Sequence, residues 1–311
     1  MSIQVNNITK LYGTQKALNN VSFEVASNQI VGFLGPNGAG KSTMMKILTG
    51  YIPQTEGSAS ICGFDVATQS LEVRKQIGYL PEHNPLYLDM YVKEFLEFTG
   101  NIYKLKNIKN RVAEMIGITG LEVEQNKKIG ALSKGYRQRV GIAQAMIHNP
   151  NVLIMDEPTT GLDPNQLEEI RTLIKNLGKQ KTVMLSTHIM QEVEAICDQV
   201  IIINKGQIVA NDQTKNLQKN TTQQLITVEF DKDVSEAQLL KIDLIEQAKP
   251  VALNGVEINK TTWLLTSSST QDVRKAIFNF AVANNLSVLT LNKEEQKIED
   301  VFKELTKNTN S

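Results

Sequence analysis

A glycine-rich loop between an apolar strand and an apolar helix constrains the fold of this chain more than any other stretch. The loop fits the pattern Gly-x4-Gly-Lys-Ser/Thr at every fixed position, with an apolar run at 30–34 before it and a mostly apolar run at 44–48 after it. Glycines let successive backbone N–H groups point at phosphate oxygens at the positive end of a helix. We therefore expect a bound nucleoside triphosphate, with Lys41 at the β- and γ-phosphates and Ser42 on Mg²⁺. The loop residues are Gly35, Pro36, Asn37, Gly38, Ala39, Gly40, Lys41, Ser42 and Thr43.

The composition argues against nucleic-acid binding and against a membrane span. The 311 residues include 33 Lys and Arg against 33 Asp and Glu, so no basic surplus marks a nucleic-acid surface. No window approaches the roughly 18 apolar residues of a membrane span. If the protein works at a membrane, we expect a partner to supply the spans. The isolated Cys62 and Cys197 fit a reducing compartment.

A second apolar run ends in two carboxylates. Residues 152–155 predict a buried strand, and Asp156 and Glu157 follow at once. Taken alone, this pair is equally consistent with a capped strand end. Downstream of a phosphate-binding loop it predicts a hydrolytic site. Asp156 would position Mg²⁺ through its water shell, and Glu157 would polarise the attacking water as general base.

Two further side chains are candidates because of their place along the chain. Tyr12 precedes the loop, where an aromatic ring can stack on a purine or pack in the core. His188 follows the apolar strand 182–186, and ligands in open α/β sheets gather beyond the carboxyl ends of strands. Between these two residues, apolar spacing predicts a mainly helical insertion, with a helix at 140–147.

The order of these motifs resembles that of the ATP-binding subunit of an ABC transporter. The resemblance covers residues 1 to about 212. It includes Leu-Ser-Lys-Gly-Tyr-Arg-Gln at 132–138, which is similar to the signature motif, and Gly-Leu-Asp at 161–163, which is similar to the D-loop. It implies an α/β fold, the P-loop NTPase cassette of the ABC type. Such a cassette has a RecA-like α/β core, an antiparallel β part and a helical insertion, here at about 86–145.

The resemblance also implies roles for the matching residues, with ATP and Mg²⁺ as cofactors. The implied catalytic residues are the base Glu157, the switch histidine His188 and the Q-loop residue Glu82. The implied nucleotide contacts are Tyr12 on the adenine, the Walker A loop Gly35–Thr43, Ser133, Gly135 and Asp163. The implied metal ligands are Ser42, Asp156 and Glu82.

An assembly follows from the same resemblance. Two cassettes close head to tail, and each ATP lies between the Walker A loop of one subunit and the signature of the other. Ser133 and Gly135 then act in trans, and one intact set of motifs permits a homodimer. Hydrolysis reopens the dimer and moves membrane subunits near Glu82. The expected location is cytoplasmic, peripheral on the inner face of the cell membrane, with no nucleic-acid partner.

Two positions depart from the commonest pattern of the family. Glu82 stands where glutamine is usual, and its carboxylate can bind Mg²⁺ but cannot donate a hydrogen bond. Repulsion between Glu82 and Glu157 would favour protonation of one of them. Lys134 stands in the signature where glycine is usual, and it lies beside the phosphates or points into solvent. Both variations resemble those of exporters with an ABC-2-type membrane permease, most closely the gliding-motility-associated ATP-binding subunit.

The last third of the chain has a pattern of its own. The polar stretch 213–224 predicts a linker, and residues 225–311 alternate strands and helices. We expect a small α+β accessory domain of ferredoxin-like type. The expected elements are strand 225–230, helix 236–242, strand 256–266, helix 273–283, strand 286–291 and helix 298–305.

The leading interpretation is the ATPase motor of a membrane exporter, and two other functions stay open at this point. The first is a non-transport ABC protein that acts as an ATP-dependent clamp on ribosomes or DNA. Such proteins typically resemble two fused cassettes or carry a long coiled-coil insertion, whereas this chain has one cassette and no heptad run. The second is a weakly catalytic regulatory cassette, which the altered signature favours and which Glu157 and His188 argue against.

Overall fold

The computed structural model describes residues 1–219, 224–251, 260–269, 271–294 and 302. The chain divides into two compact units, Met1–Thr214 and Lys215–Ser311. Across the described residues, no helix combines the length and the apolar character that crossing a membrane requires.

The first unit opens with a β-hairpin and then alternates strands and helices. Its strands are β1 (Ile3–Tyr12), β2 (Gln15–Val25), β3 (Ile30–Leu34), β4 (Glu56–Ile61), β5 (Phe64–Asp65), β6 (Ile77–Leu80), β7 (Val152–Asp156), β8 (Thr182–Thr187), β9 (Gln199–Asn204) and β10 (Gln207–Gln213). Its helices are α1 (Lys41–Leu48), α2 (Ser70–Gln76), α3 (Val92–Ile102), α4 (Ile108–Thr119), α5 (Lys134–Met146), α6 (Pro164–Gly178) and α7 (Met190–Ile196). A 3-10 turn at Ile129–Ala131 precedes α5.

A six-stranded sheet in the order β10-β9-β3-β8-β7-β6 forms the centre of this unit. Its neighbouring strands pair in parallel, except that β10 is antiparallel to β9. Every residue of β3, β7 and β8 is buried, which explains why these strands are continuous apolar runs in the sequence. The loop after β3, Asp156 at the end of β7 and His188 after β8 therefore meet at one edge of the sheet.

A second, antiparallel sheet has the order β2-β1-β4-β5. Its apolar side chains share one core with β3 and α1, and the rings of Phe23 and Phe33 lie 5.7 Å apart. Ala17 and Leu18 of β2 lie against the phosphate-binding loop at Gly40. The antiparallel sheet thus limits the space available to the loop.

The segment between β6 and β7 contains α3, α4 and α5, which pack against one another. Helix α5 begins at Lys134, six residues before the predicted helix at 140–147. The earlier start has a local cause, because the Ser133 hydroxyl accepts a hydrogen bond from the backbone N–H of Tyr136 and caps the helix. The signature motif is therefore the N-terminus of a helix.

The structure contains a helix in the first half of the predicted linker at 213–224. Gln213 ends β10, and Thr214–Lys219 form α8, whereas residues 220–223 lie outside the described residues. Thr214 is buried and anchors this helix. Its hydroxyl donates to the Cys197 carbonyl at 2.8 Å, and its N–H donates to the Asp198 carbonyl at 3.0 Å. Polar composition alone did not reveal these contacts with a distant segment.

The second unit contains the strands β11 (Gln224–Phe230), β12 (Gln247–Pro250), β13 (Thr262–Ser267) and β14 (Val288–Glu294) and the helices α9 (Glu236–Leu239) and α10 (Arg274–Ala283). These four strands form a sheet in the order β12-β13-β11-β14, with all neighbours antiparallel. Together with the chain order strand, helix, strand, strand, helix, strand, this is the ferredoxin-like arrangement that the sequence predicts. Trp263 and Ile277 are in its core.

Several boundaries in this unit differ from the prediction. Strand β12 was not predicted, because Gln247–Pro250 is short and largely polar and forms a strand through its pairing with β13. Helix α9 ends at Leu239 rather than at 242. Of the predicted strand 256–266, the part before 260 lies outside the described residues, as does the predicted helix 298–305 apart from residue 302.

Candidate functional site

The phosphate-binding loop connects β3 to the N-terminus of α1. Gly38 and Gly40 have φ angles of 80° and 109°, a region that favours glycine. A Cβ on Gly40 would also lie 2.6 Å from the carbonyl oxygen of Ala17. The first N–H groups of α1 have no partner within the helix and can bind an anion. The loop therefore has the backbone that phosphate binding requires.

Lys41, the first residue of α1, is only 6% exposed. Its Nζ donates to the carbonyl oxygens of Gly35 at 2.8 Å and Pro36 at 3.3 Å. The same nitrogen lies 3.5 Å from Oε1 of Glu157. Since a buried ammonium needs such partners, the loop itself holds the cation in place for a phosphate.

Asp156 ends β7 and is buried, at 2% exposure. One oxygen of its carboxylate accepts hydrogen bonds from the hydroxyls of Ser42, at 3.2 Å, and Ser186. A hydroxyl and a carboxylate side by side are the hard oxygen ligands that suit Mg²⁺. Ser186 was missed from the sequence, because its contact depends on β8 lying beside β7, where Asp156 pairs with Ser186.

Glu157 has a φ of 50°, a left-handed conformation that costs a non-glycine residue about 1–3 kcal/mol. Its N–H donates to the carbonyl of Ser186 at 3.2 Å and to the hydroxyl of the same residue at 3.0 Å. Its Oε2 accepts from the Thr160 hydroxyl at 3.0 Å and lies 2.9 Å from Nδ1 of His188. The buried carboxylate is thus held between Lys41, Thr160 and the half-exposed imidazole of His188.

A cavity of about 740 Å³ extends from the loop to these side chains. The ring of Tyr12 lies at its edge, 49% exposed, with Nζ of Lys10 5.3 Å from the ring centroid. Gln15, Lys16, Thr160 and Lys205 were not predicted, since they come from segments without a motif. The lining residues are Tyr12, Gln15, Lys16, Ala17, Asn37, Gly38, Gly40, Lys41, Ser42, Thr43, Glu82, Glu157, Thr160, His188 and Lys205.

Glu82 is exposed and lines the same cavity as Glu157. It also lines a second cavity, of about 650 Å³, together with Asp156 and Tyr79. Burial raises the pKa of Tyr79 to about 12, and the negative charges of Asp156 and Glu82 contribute to the increase. The carboxylate of Glu82 therefore faces the same edge of the sheet as Asp156 and Glu157.

Ser133, Gly135 and Asp163 do not line the nucleotide cavity of their own chain. Asp163 caps α6, because its Oδ1 accepts the N–H of Gln166 at 2.9 Å. Ser133 caps α5 and also accepts from Nε2 of Gln166 at 3.3 Å. The structure places these three residues in a separate group, at the N-termini of α5 and α6.

Lys134 is exposed, and its Nζ lies where a Cβ of Gly161 would be. Gly161 has a φ of 72°, a conformation that favours glycine. The end of the Lys134 side chain occupies the space that a side chain at position 161 would fill. The Lys134 side chain therefore packs on the D-loop of its own chain and is also exposed to solvent. This arrangement agrees with the solvent alternative more closely than with the phosphate alternative.

The fold and the cavity together define a P-loop ATPase of the ABC cassette type. The family described as ABC transporter matches residues 18–160. The chain is 31% identical to the linearmycin resistance ATP-binding protein LnrL of Bacillus subtilis (strain 168), with 99% of each chain covered. It is 33% identical to the bacitracin transport ATP-binding protein BcrA of Bacillus licheniformis, with 97% of this chain and 96% of that protein covered. The chain belongs to the family of ABC transporter ATP-binding proteins.

A solved structure extends this conclusion to the fold. The dimeric ATP-binding cassette MJ0796, in a post-hydrolysis state with ADP and Pi, matches with a TM-score of 0.62 and 28% identity. The match covers 68% of this chain and 98% of that cassette. The predicted cassette fold is confirmed, and the chain is an ABC ATPase that binds and hydrolyses ATP.

Proposed function

We propose that the protein is the nucleotide-binding subunit of an exporter, which dimerises on ATP and drives an ABC-2-type membrane permease. One observation carries the proposal. Ser133 and Gly135, at the N-terminus of α5, lie outside the cavity that their own chain offers to ATP. A hydroxyl and a helix N-terminus at the surface suit a phosphate that a second subunit holds. A head-to-tail homodimer supplies that phosphate.

In this proposal, different residues of the cavity bind the phosphates, the adenine and the metal ion. The loop amides and Lys41 bind the phosphates, and Tyr12 stacks on the adenine. Ser42, Asp156 and Glu82 would hold Mg²⁺, which would supply positive charge to neutralise the phosphates.

Glu157 and His188 carry out the hydrolytic step. Glu157 takes the proton of the attacking water, and its fixed position between Lys41, Thr160 and His188 orients it for this task. His188 contacts the γ-phosphate. The products, ADP and phosphate, separate the two subunits, and that opening is the motion passed to the permease.

The export direction is supported by the relatives. LnrL is named for linearmycin resistance and BcrA for bacitracin transport, and both match this chain over nearly their whole length. These names favour export over a clamp on ribosomes or DNA. A permease partner places the protein in the cytoplasm, at the inner face of the cell membrane. A role in gliding motility rests on the sequence resemblance at Glu82 and Lys134 alone.

The test is ATP-dependent dimerisation of Glu157→Gln, measured by light scattering. Without the base, turnover should fall about 100-fold or more, and bound ATP should trap the dimer. We expect a monomer without nucleotide and a dimer with ATP. Adding Lys41→Ala should remove the dimer, and Glu122→Gln, an exposed acid distant in sequence from the motifs, should keep normal turnover. A monomer with ATP demonstrably bound would overturn the proposal.

A further inference from the structure

We propose that Gln166 is a positioning residue for catalysis, which sets the direction of the Ser133 hydroxyl toward the phosphate. This inference rests on the proposed function, because it concerns the signature acting on the ATP of a second subunit. Gln166 lies outside the motifs identified in the sequence, so it was not a candidate there. The side chain lies in the first turn of α6, between the D-loop and the signature.

The hydrogen bonds of Ser133 determine where its proton can point. The hydroxyl oxygen accepts from the N–H of Tyr136 at 3.4 Å and from Nε2 of Gln166 at 3.3 Å. A serine hydroxyl has two acceptor lone pairs and one donor proton. With both lone pairs engaged, the proton is directed away from both donors and is available to a phosphate oxygen.

The same amide covers Gly135. A Cβ built on this glycine would lie 2.6 Å from both Cδ and Oε1 of Gln166. Gly135 is the second residue of α5, so its N–H has no partner within the helix. The close approach of Gln166 leaves room only for glycine at position 135.

Gln166 is itself held by the D-loop. Its N–H donates to Oδ1 of Asp163 at 2.9 Å, which fixes the first turn of α6. Asp163 therefore influences the signature through Gln166, without contacting nucleotide in its own chain. The orientation of the Ser133 hydroxyl thus depends on two successive hydrogen bonds, one between Asp163 and Gln166 and one between Gln166 and Ser133.

The first experiment measures the ATP-dependent dimerisation constant in the Glu157→Gln background. Gln166→Met keeps the side-chain length and removes the amide, so we expect dimerisation about tenfold weaker. Affinity for a fluorescent ATP analogue at concentrations where the protein is monomeric should not change. Gln180→Met, at an exposed site just beyond the C-terminal end of the same helix, is the matched control and should leave both quantities unchanged.

A double-mutant cycle separates positioning from general support of the fold. If Gln166 acts through Ser133, Gln166→Met should weaken dimerisation no further once Ser133→Ala is present. Gln166→Glu should weaken it more than Gln166→Met, because a carboxylate accepts the serine proton instead of donating to its oxygen. Additive effects in the cycle, or a Gln166→Glu protein that dimerises as tightly as its parent, would overturn the inference alone. A parent that does not dimerise would overturn the proposed function as well.

Discussion

The cavity side and the signature side of this cassette satisfy their polar groups in opposite ways. On the cavity side, Lys41 is bonded to the loop carbonyls and lies near Glu157, which in turn is bonded to His188. On the signature side, Ser133 and Lys134 are exposed. The polar groups on the cavity side have their partners within one chain, whereas the signature side presents hydrogen-bond donors to solvent.

The contrast has a physical cause. Charges inside a protein must be paired and hydrogen-bonded, so the buried Lys41 and Glu157 are fixed before any nucleotide arrives. Donors at a helix N-terminus on the surface carry no such requirement, because water can bind them. Ser133 can therefore exchange water for a phosphate that a second subunit brings. Under the proposed function, the difference indicates which half of the ATP site a second subunit supplies.

The largest expected effect is the loss of nucleotide binding on the cavity side. Lys41→Ala removes the cation and leaves the carbonyls of Gly35 and Pro36 without their donor. We expect ATP affinity to fall about 100-fold or more, measured by equilibrium binding of a fluorescent analogue. Lys46→Ala, at an exposed site further along α1, is the control and should bind normally. Unchanged ATP affinity in Lys41→Ala would show that the cavity side does not bind the nucleotide through this lysine.

His188→Ala should affect the reaction rather than binding. The imidazole contacts Oε2 of Glu157 at 2.9 Å, so its loss leaves the base less well oriented. We expect kcat to fall about 100-fold with ATP affinity retained, from steady-state kinetics and binding measured together. His83→Ala removes an exposed histidine and should keep full activity. A parallel loss of affinity would show that His188 supports the cavity rather than the chemistry.

Mixing two defective proteins tests the division between the two sides directly. Lys41→Ala lacks the cavity side, and Ser133→Ala lacks part of the signature side. In a mixed dimer, one of the two sites combines an intact cavity with an intact signature. We expect ATPase activity several-fold above the mean of the separate proteins, at about a quarter of the wild-type value at most. Activity equal to that mean would indicate that Ser133 acts within its own chain.

The smallest expected effect concerns Glu82, the exposed acid at the cavity edge. Glu82→Gln replaces a carboxylate by an amide that can donate a hydrogen bond. We expect turnover to change about fivefold and the Mg²⁺ dependence to shift to higher concentration. ATPase rates across a magnesium titration provide the measurement, with Glu122→Gln as the control. If neither quantity changes, Glu82 is a solvated loop acid.

The sequence predicts the parts of this site that depend on local pattern. The loop after β3 and the acids Asp156 and Glu157 follow apolar runs, because parallel strands buried on both faces consist mainly of apolar residues. Ser186 and Thr160 could not be predicted in the same way. Their contacts with Glu157 depend on strand order and on a turn, and neither residue belongs to a motif.

The second unit shows the same limit of prediction from local sequence pattern. The strands and helices with apolar periodicity were predicted, and their order gave the ferredoxin-like arrangement. β12 was missed, because Gln247–Pro250 forms a strand only through hydrogen bonds with β13. Helix α8 was missed because Thr214 is anchored by the carbonyls of Cys197 and Asp198.

One contact links the two sides within a single chain. Nε2 of Gln138, on α5, donates to the carbonyl oxygen of Pro158 at 2.8 Å, one residue beyond Glu157. Helix α5 also carries Ser133 at its N-terminus. In a symmetric dimer, each subunit therefore offers its neighbour a helix that is hydrogen-bonded to the loop after its own Glu157. In the proposed dimer, this contact gives a path from one site to the other, and any coupling of ATP affinity between the two sites is reciprocal.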